Sequence, residues 1–254
     1  MQSNYICITG GASGIGRAIA FQYASNNHRI VIIDIDKEKA IQTVGDIREK
    51  YGTPVNFYEC DLTNEDNVKT LAETIEQDNI FFSSLISCAG RAIPDEFDET
   101  SLPSPEIWDQ SIYLNLNSHY YFTYHFEKLI DPELANKSIL YISSVNAIQA
   151  FGLTAYSAAK AGLIGLMQTI SAYLGKRKNT RVNAILPGTV RPSNDDKIED
   201  KNYDALKKNS ILGKMAEEED IAKTAYALTQ DLTHITAQTI VVDGGQTMIR
   251  SQKD

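Results

Sequence analysis

Short apolar segments alternate with longer helical segments along almost the whole chain, and this alternation limits the fold more than any other feature. The apolar segments read as strands buried on both faces, which is typical of a parallel sheet with helices on each side. Strands are predicted at residues 5–10, 29–34, 55–61, 83–90, 138–144, 181–188 and 239–245. We therefore expect an α/β protein, a doubly wound sandwich around a parallel sheet of about seven strands.

The pattern predicts a single domain over residues 1–254. That length suits one large α/β domain, and no repeat, low-complexity tract or linker interrupts the alternation. The one stretch without clear periodicity, 189–212, is polar and follows a strand. Because ligands bind at the carboxyl edge of an open parallel sheet, we predict that this stretch is a substrate lid.

The first predicted strand runs directly into a glycine-rich loop, TGGASGIG, with Gly10, Gly14 and Gly16 ahead of an amphipathic helix. Glycines there let the backbone approach a pyrophosphate, and the helix N-terminus supplies N–H donors. The second strand ends in Asp34, which can accept hydrogen bonds from an adenosine ribose and would repel a 2′-phosphate. This arrangement predicts a dinucleotide site that prefers NAD to NADP. The alternative is that the glycines serve only a tight turn.

Tyrosine stands four residues ahead of lysine in YSAAK at 156–160, and also in YHFEK at 124–128 and YDALK at 203–207. Only Tyr156 and Lys160 open a helix just after a strand that ends in serines, at the edge where ligands bind. Hydride transfer between an alcohol carbon and a nicotinamide requires proton transfer at the alcohol oxygen. A phenol with a pKa of about 10 suits this task when a nearby ammonium favours the phenolate. We therefore predict Tyr156 as general acid/base, with Lys160 and the positively charged nicotinamide together lowering its pKa.

The segments TGGASGIG, CDL, CAG, WDQSIYLNLNS, YISSV, YSAAKAG, LPGTV and VDGG follow one another along nearly the whole chain. In this order they resemble the motifs of the short-chain dehydrogenase/reductase family. The resemblance implies a Rossmann-type fold and oxidoreduction between a secondary alcohol and a ketone with a nicotinamide cofactor. It also implies that Asn115 is catalytic, anchoring a water in a proton relay, and that Lys160 holds the nicotinamide ribose.

The resemblance extends to the cofactor contacts, with Asp61 at the adenine ring and the LPGTV turn at the nicotinamide. Two cofactor-contact positions depart from the family: Cys88 replaces a largely structural asparagine, and Pro192 replaces a threonine that contacts the carboxamide. Thr189 and Ser193 are candidate substitutes for that threonine. After Asn115, the chain also has Asn117 and Ser118 where the family pattern usually continues to a glycine. The predicted cofactor-binding residues are Gly10, Ser13, Gly14, Ile15, Gly16, Asp34, Ile35, Asp61, Leu62, Cys88, Ala89, Gly90, Tyr156, Lys160, Pro187, Gly188, Thr189 and Val190.

Two neighbouring serines compete for the role of orienting the substrate oxygen. The family's usual spacing from the tyrosine selects Ser143, whereas aligning the strand end selects Ser144. Neighbouring strand residues point to opposite faces, so only one of the two can face the substrate. We prefer Ser144, because loops absorb changes of length more readily than strands do.

Composition argues against several classes of partner. A net charge of −9 is unsuited to nucleic acid, and no apolar run approaches the ~20 residues that span a bilayer. The N-terminal segment has no signal-peptide pattern. The three cysteines lack C-x-x-C spacing and the four histidines lack metal-ligand spacing. We expect a cytoplasmic protein with reduced thiols, no metal, and no nucleic-acid or membrane partner.

The substrate is harder to predict. The polar stretches 91–104 and 189–212 suit a small polar secondary alcohol, such as a polyol, sugar or hydroxy acid. Arg91 and Arg191 either clamp a carboxylate or phosphate or are ordinary surface residues. The alternatives are a ketoacyl-carrier-protein reductase of the same family and a catalytically silent NAD-binding sensor or scaffold. Helical segments 105–130 and 156–175 are apolar all round, and by resemblance they pair with other copies in a homotetramer or homodimer.

Overall fold

The computed structural model describes residues 5–97, 101–149, 151–191, 207 and 209–249. Within these ranges the strands are β1 (Tyr5–Thr9), β2 (Arg29–Asp34), β3 (Val55–Glu59), β4 (Phe82–Ser87), β5 (Ser138–Ile142), β6 (Arg181–Pro187) and β7 (Thr239–Val242). They form one seven-stranded sheet in the order β3-β2-β1-β4-β5-β6-β7, and every pairing is parallel. The predicted fold class is confirmed. Most strands end a few residues before their predicted limits because the chain turns away to form the site.

Helices cover both faces of the sheet. They are α1 (Gly14–Ala24), α2 (Lys37–Tyr51), α3 (Glu65–Gln77), α4 (Pro105–Ile112), α5 (Ser118–Phe126), α6 (Thr154–Lys178) and α7 (Glu218–Tyr226). Along β1, Ile6 and Ile8 enter one apolar cluster with α1, α2 and α7, whereas Cys7 enters the other with α3, α5 and α6. Because side chains alternate along each strand, the strands contribute to two hydrophobic cores, one on each face of the sheet.

Local signals set several helix boundaries. The Asp36 carboxylate caps α2 by accepting from the Lys39 N–H at 3.1 Å, and Gly52 ends that helix with a φ of 65°. Helix α6 ends in three basic residues, 176–178, followed by Asn179 in the left-handed region. These three basic residues therefore lie at a helix C-terminus, where cations interact favourably with the helix macrodipole.

The strand order reverses between β1 and β4, and this is the position where open α/β sheets bind ligands. The loops after β1, β4, β5 and β6 meet at this edge. Most of the predicted lid, residues 192–206 and 208, lies outside the described residues. Among the helices that are described, none has both the length and the apolar character to span a membrane.

Candidate active site

A cleft of 710 Å³ opens at the carboxyl ends of β1 and β4. All the predicted cofactor-binding residues line it except Thr189, which lies in a neighbouring cleft. Of the four predicted catalytic residues, Ser144, Tyr156 and Lys160 line the cleft, and Asn115 is buried behind Gly90. The sheet edge therefore brings together segments from the first strand to the sixth.

The glycine-rich loop has the shape that a pyrophosphate requires. Gly10 and Gly14 have φ values of +68° and +54°, which few other residues adopt. A Cβ on Gly16 would lie 2.0 Å from the Gly10 carbonyl oxygen, so only glycine allows this approach of helix and strand. Helix α1 has no side-chain cap and no acidic residue in its first turn. The first residues of this helix, Gly14, Ile15 and Gly16, line the cleft, so the residues present fit a dinucleotide whose pyrophosphate lies at the helix N-terminus.

Asp34 places a carboxylate beside the glycine-rich loop. One oxygen accepts from the Ala12 N–H at 2.9 Å and the other from the Asp36 N–H at 3.0 Å, which fixes the side chain at the cleft wall. Arg17, the nearest arginine, pairs with Asp46 at 2.8 Å and stacks on Phe21, 4.4 Å from the ring centre. These contacts engage Arg17 on the outer side of α1, so the negative charge of Asp34 is not neutralised by that guanidinium.

Tyr156 and Lys160 occupy the first two turns of α6. The Lys160 ammonium donates to the Ile142 carbonyl oxygen at 3.0 Å and lies 5.6 Å from the centre of the Tyr156 ring. Burial lowers the pKa of Lys160 to about 8. Burial also raises the pKa of Tyr156 to about 12, and a hydrogen bond with Ser144 acts in the opposite direction. In the protein without cofactor, desolvation of the phenolate thus outweighs the other effects on the pKa of Tyr156.

The two serines at the end of β5 point in different directions. The Ser143 hydroxyl donates to the Lys160 carbonyl oxygen at 2.8 Å and so ties the strand to α6. The Ser144 hydroxyl donates to the Asn146 side-chain oxygen at 3.1 Å and also hydrogen-bonds with Tyr156. Ser144 is therefore the serine next to the phenol.

Asn115 sits in a π-helical turn, Tyr113–Asn117, between α4 and α5. Its side-chain oxygen accepts from the Arg91 N–H at 3.0 Å, and its amide donates to the Arg91 carbonyl oxygen at 2.9 Å. A Cβ on Gly90 would lie 2.7 Å from the Asn115 oxygen and 3.2 Å from the Lys160 nitrogen. The asparagine, glycine and lysine thus meet at one point, and π-helical turns are frequent at functional sites.

The two departures from the family pattern have different outcomes. At Cys88, the Thr9 hydroxyl accepts from the Cys88 N–H at 2.9 Å and from the Ala89 N–H at 3.1 Å, so the backbone is fixed without an asparagine. Burial raises the pKa of the Cys88 thiol to about 12, so it is a protonated apolar group. Pro192 and Ser193 lie outside the described residues. The hydroxyl of Thr189, the other candidate substitute, lies 3.3 Å from the Gln246 side-chain oxygen.

A second cleft of 490 Å³ adjoins the first and shares Gly188 with it. Its described lining holds carboxamides and apolar groups but no charged side chain: Val145, Asn146, Gln149, Phe151, Leu153, Gly188, Thr189, Asn209, Gln246 and Ile249. Neither of the two arginines considered as a clamp for a carboxylate or phosphate is in the described lining of this second cleft. Arg91 lines the first cleft, and the Arg191 guanidinium lies 3.8 Å from the Glu217 carboxylate. Sequence reasoning missed these amides because they come from separate segments and form no motif.

The comparisons with known proteins agree with this geometry. The model of a family described as "Enoyl-(Acyl carrier protein) reductase" matches residues 10–247. A (3R)-3-hydroxyacyl-CoA dehydrogenase of Rattus norvegicus is 32% identical over 257 residues, covering 96% of each chain. An L-rhamnose-1-dehydrogenase of Scheffersomyces stipitis is 29% identical, again covering 96% of each chain. A solved short-chain type dehydrogenase/reductase from Mycobacterium ulcerans has a TM-score of 0.87 at 26% identity, covering 98% of this chain and 92% of that one.

Proposed function

Since the chain belongs to the short-chain dehydrogenase/reductase family and is an oxidoreductase acting on CH–OH groups, we propose that it interconverts an uncharged polyol or sugar and the corresponding ketone, with NAD as cofactor. One observation carries this proposal. The Ser144, Tyr156 and Lys160 side chains line the first cleft. The described lining of the adjoining second cleft offers carboxamides and no charged side chain. Carboxamides donate to and accept from hydroxyl groups, whereas they leave a carboxylate without a counter-charge.

Each of the three side chains has a role in this proposal. The cleft residues would hold NAD⁺, which would supply the acceptor for the hydride that leaves the alcohol carbon. Tyr156 takes the proton from the alcohol oxygen, and Ser144 donates a hydrogen bond to that oxygen as negative charge develops. Lys160 stabilises the phenolate and holds the nicotinamide ribose, and Asn115 fixes the Arg91 backbone beside the lysine and anchors the relay water.

The preference for NAD is attributed to Asp34. We expect kcat/KM with NAD⁺ to exceed that with NADP⁺ by about 100-fold, since a like charge close to the partly buried Asp34 costs a few kcal/mol and each 1.4 kcal/mol is tenfold. Asp34→Asn keeps one acceptor oxygen for the loop and removes the charge, so the ratio should fall by about tenfold or more. Initial rates with the two cofactors measure the ratio. A wild-type preference for NADP⁺ would contradict the assignment.

The role of Ser144 predicts different effects for the two serines. Ser144→Ala should lower kcat by about 10²- to 10³-fold, because it removes a donor to the developing oxyanion. Ser143→Ala should leave kcat within a few-fold and cost about 1 kcal/mol of unfolding free energy, the value of a hydrogen bond such as that to the Lys160 carbonyl oxygen. Steady-state rates and urea unfolding of both variants test this, and the reverse ranking of kcat would assign the role to Ser143.

A second candidate function is the oxidoreduction of a 3-hydroxyacyl or 3-oxoacyl thioester. The 32% identical relative is named for a hydroxyacyl-CoA substrate, and a 31% identical relative from Thermotoga maritima is named as a 3-oxoacyl-[acyl-carrier-protein] reductase. Initial rates on a panel of polyols, sugars, hydroxy acids and 3-hydroxyacyl-CoA thioesters separate the two. A higher kcat/KM for the thioesters would replace the polyol proposal.

Exposed aromatic side chains support a proposal on assembly, and the unpaired cysteines support one on location. Tyr113, Tyr120 and Tyr173 on the α4–α6 region are 47%, 45% and 49% exposed, an aromatic surface that suits contact with other copies. We propose a homotetramer, which light scattering at micromolar concentration would contradict by giving a monomeric mass. The cysteines, at positions 7, 60 and 88, are all unpaired, which supports a cytoplasmic location.

A further inference from the structure

The turn Pro94–Phe97 carries a buried carboxylate that sequence reasoning did not single out. Glu96 is 3% exposed, and its Oε2 accepts from the Tyr156 backbone N–H at 2.8 Å. Its other oxygen, Oε1, is buried and has no hydrogen-bond partner among the described residues. Acidic side chains are almost never fully buried unless they are paired, so this position needs an explanation.

Helix α6 lacks a cap of its own. It begins at Thr154 after Leu153, which offers no side-chain acceptor, and its first turn contains no acidic residue. The Tyr156 N–H is among the first N–H groups of this helix and has no partner within it. Glu96 supplies the missing acceptor from a different segment, and its charge complements the positive end of the helix.

Resting on the proposed function, we propose that Glu96 is a positioning residue for Tyr156, which caps α6 from the turn after β4 and holds a negative charge beside the tyrosine. The cap fixes the backbone from which the phenol extends. It also joins the first turn of α6 to the segment that follows Arg91, so a hydrogen bond connects these two parts of the site. This carboxylate contacts the tyrosine backbone and acts on the reaction through it.

The groups that face Tyr156 come from several elements. Lys160 lies on α6 itself, Cys88 follows β4, Arg91 lines the same cleft, and Glu96 approaches from its turn. After burial, the largest cause, Cys88 and Glu96 both raise the pKa of Tyr156. Because the thiol is itself held protonated by burial, the carboxylate is the negative charge that acts on the tyrosine.

The Glu96→Gln variant separates the cap from the charge. Glutamine keeps an acceptor for the Tyr156 N–H but removes the charge, so the pKa of the tyrosine falls and its base form persists to lower pH. The rising limb of kcat/KM for alcohol oxidation should therefore move to lower pH by about 0.5–1 unit. The matched control is Asp95→Asn, which removes an exposed carboxylate from the same turn and should leave the profile unchanged.

Glu96→Ala removes both the cap and the charge, and should lower the melting temperature by about 2–4 °C relative to Glu96→Gln. A shifted profile in Glu96→Gln with an unshifted Asp95→Asn supports the proposal. A Glu96→Gln profile that coincides with that of the wild type, or lies at higher pH, overturns it while leaving the dehydrogenase intact. An inactive wild type with every cofactor and alcohol would overturn the proposed function as well, so the two failures are distinct.

Discussion

Tyr156→Phe is expected to lower kcat for alcohol oxidation by about 10²- to 10⁴-fold, the usual contribution of a positioned acid or base. Phenylalanine fills the same space but has no hydroxyl to accept the proton. Because the substitution leaves the glycine-rich loop and Asp34 unchanged, the dissociation constant for NAD⁺ should change by no more than a few-fold. Steady-state kinetics and calorimetric titration with NAD⁺ measure the two effects.

The matched control for this prediction is Tyr124→Phe. Tyr124 also stands four residues ahead of a lysine, but it is 61% exposed and Lys128 pairs with Glu76. Its variant should keep kcat within about twofold of the wild type, as expected for a surface change. If Tyr156→Phe retained most of the wild-type kcat, another group would be the acid/base and the assignment would fail.

Gly16→Ala should have the second large effect, on both stability and cofactor binding. The new Cβ would lie 2.0 Å from the Gly10 carbonyl oxygen, and Gly10 has little freedom to retreat because a Cβ there would already be 2.9 Å from Ala89 Cα. Overpacking against backbone costs about 3 kcal/mol of unfolding free energy. Displacing the loop by about 1 Å should weaken NAD⁺ binding by about 100-fold or more, by analogy with the sensitivity of catalysis to misplacement.

Gly45→Ala provides the control within the same chain. Gly45 lies inside α2, and a Cβ there would meet no atom within 4 Å. Alanine should therefore raise the unfolding free energy by about 0.5–1 kcal/mol, through better helix propensity and a less flexible unfolded chain. Urea unfolding and NAD⁺ titration of both variants test the pair. Equal stability of the two variants would contradict the close approach of helix and strand at Gly16.

The parts of the site that the sequence predicts well are those that depend on neighbours in the chain. The glycine-rich loop, Asp34 at a strand end and the spacing of Tyr156 and Lys160 all have their partners within one βαβ unit or one helical turn. The strand pattern is equally local, because the alternation and length of apolar runs report burial directly. These signals predicted a parallel sheet with ligands at its carboxyl edge, whereas the order of the strands comes from the structure.

The features that escape the sequence depend on contacts between distant segments. In the sequence, Glu96 is one of several acidic residues in a polar segment. In the fold it is buried and hydrogen-bonds with the first turn of α6 at Tyr156. The raised pKa of the tyrosine likewise comes from burial, which spacing does not reveal. The choice between Ser143 and Ser144 stays open in the sequence because a loop of uncertain length follows, whereas their hydrogen bonds favour Ser144.

The central claim is that this chain turns over a secondary alcohol at Tyr156 and is more than a dinucleotide-binding protein. Its most direct test is to incubate the purified wild type with NAD⁺ and a panel of polyols and sugars. The reduced nicotinamide is quantified by absorbance and the carbonyl product by mass spectrometry. We predict that NADH and ketone form in equal amounts with at least one uncharged polyol or sugar, and that Tyr156→Phe slows the formation of both by about 10²-fold or more. Saturable binding of NAD⁺ with no product from any alcohol or thioester would contradict the claim and leave a silent binding protein.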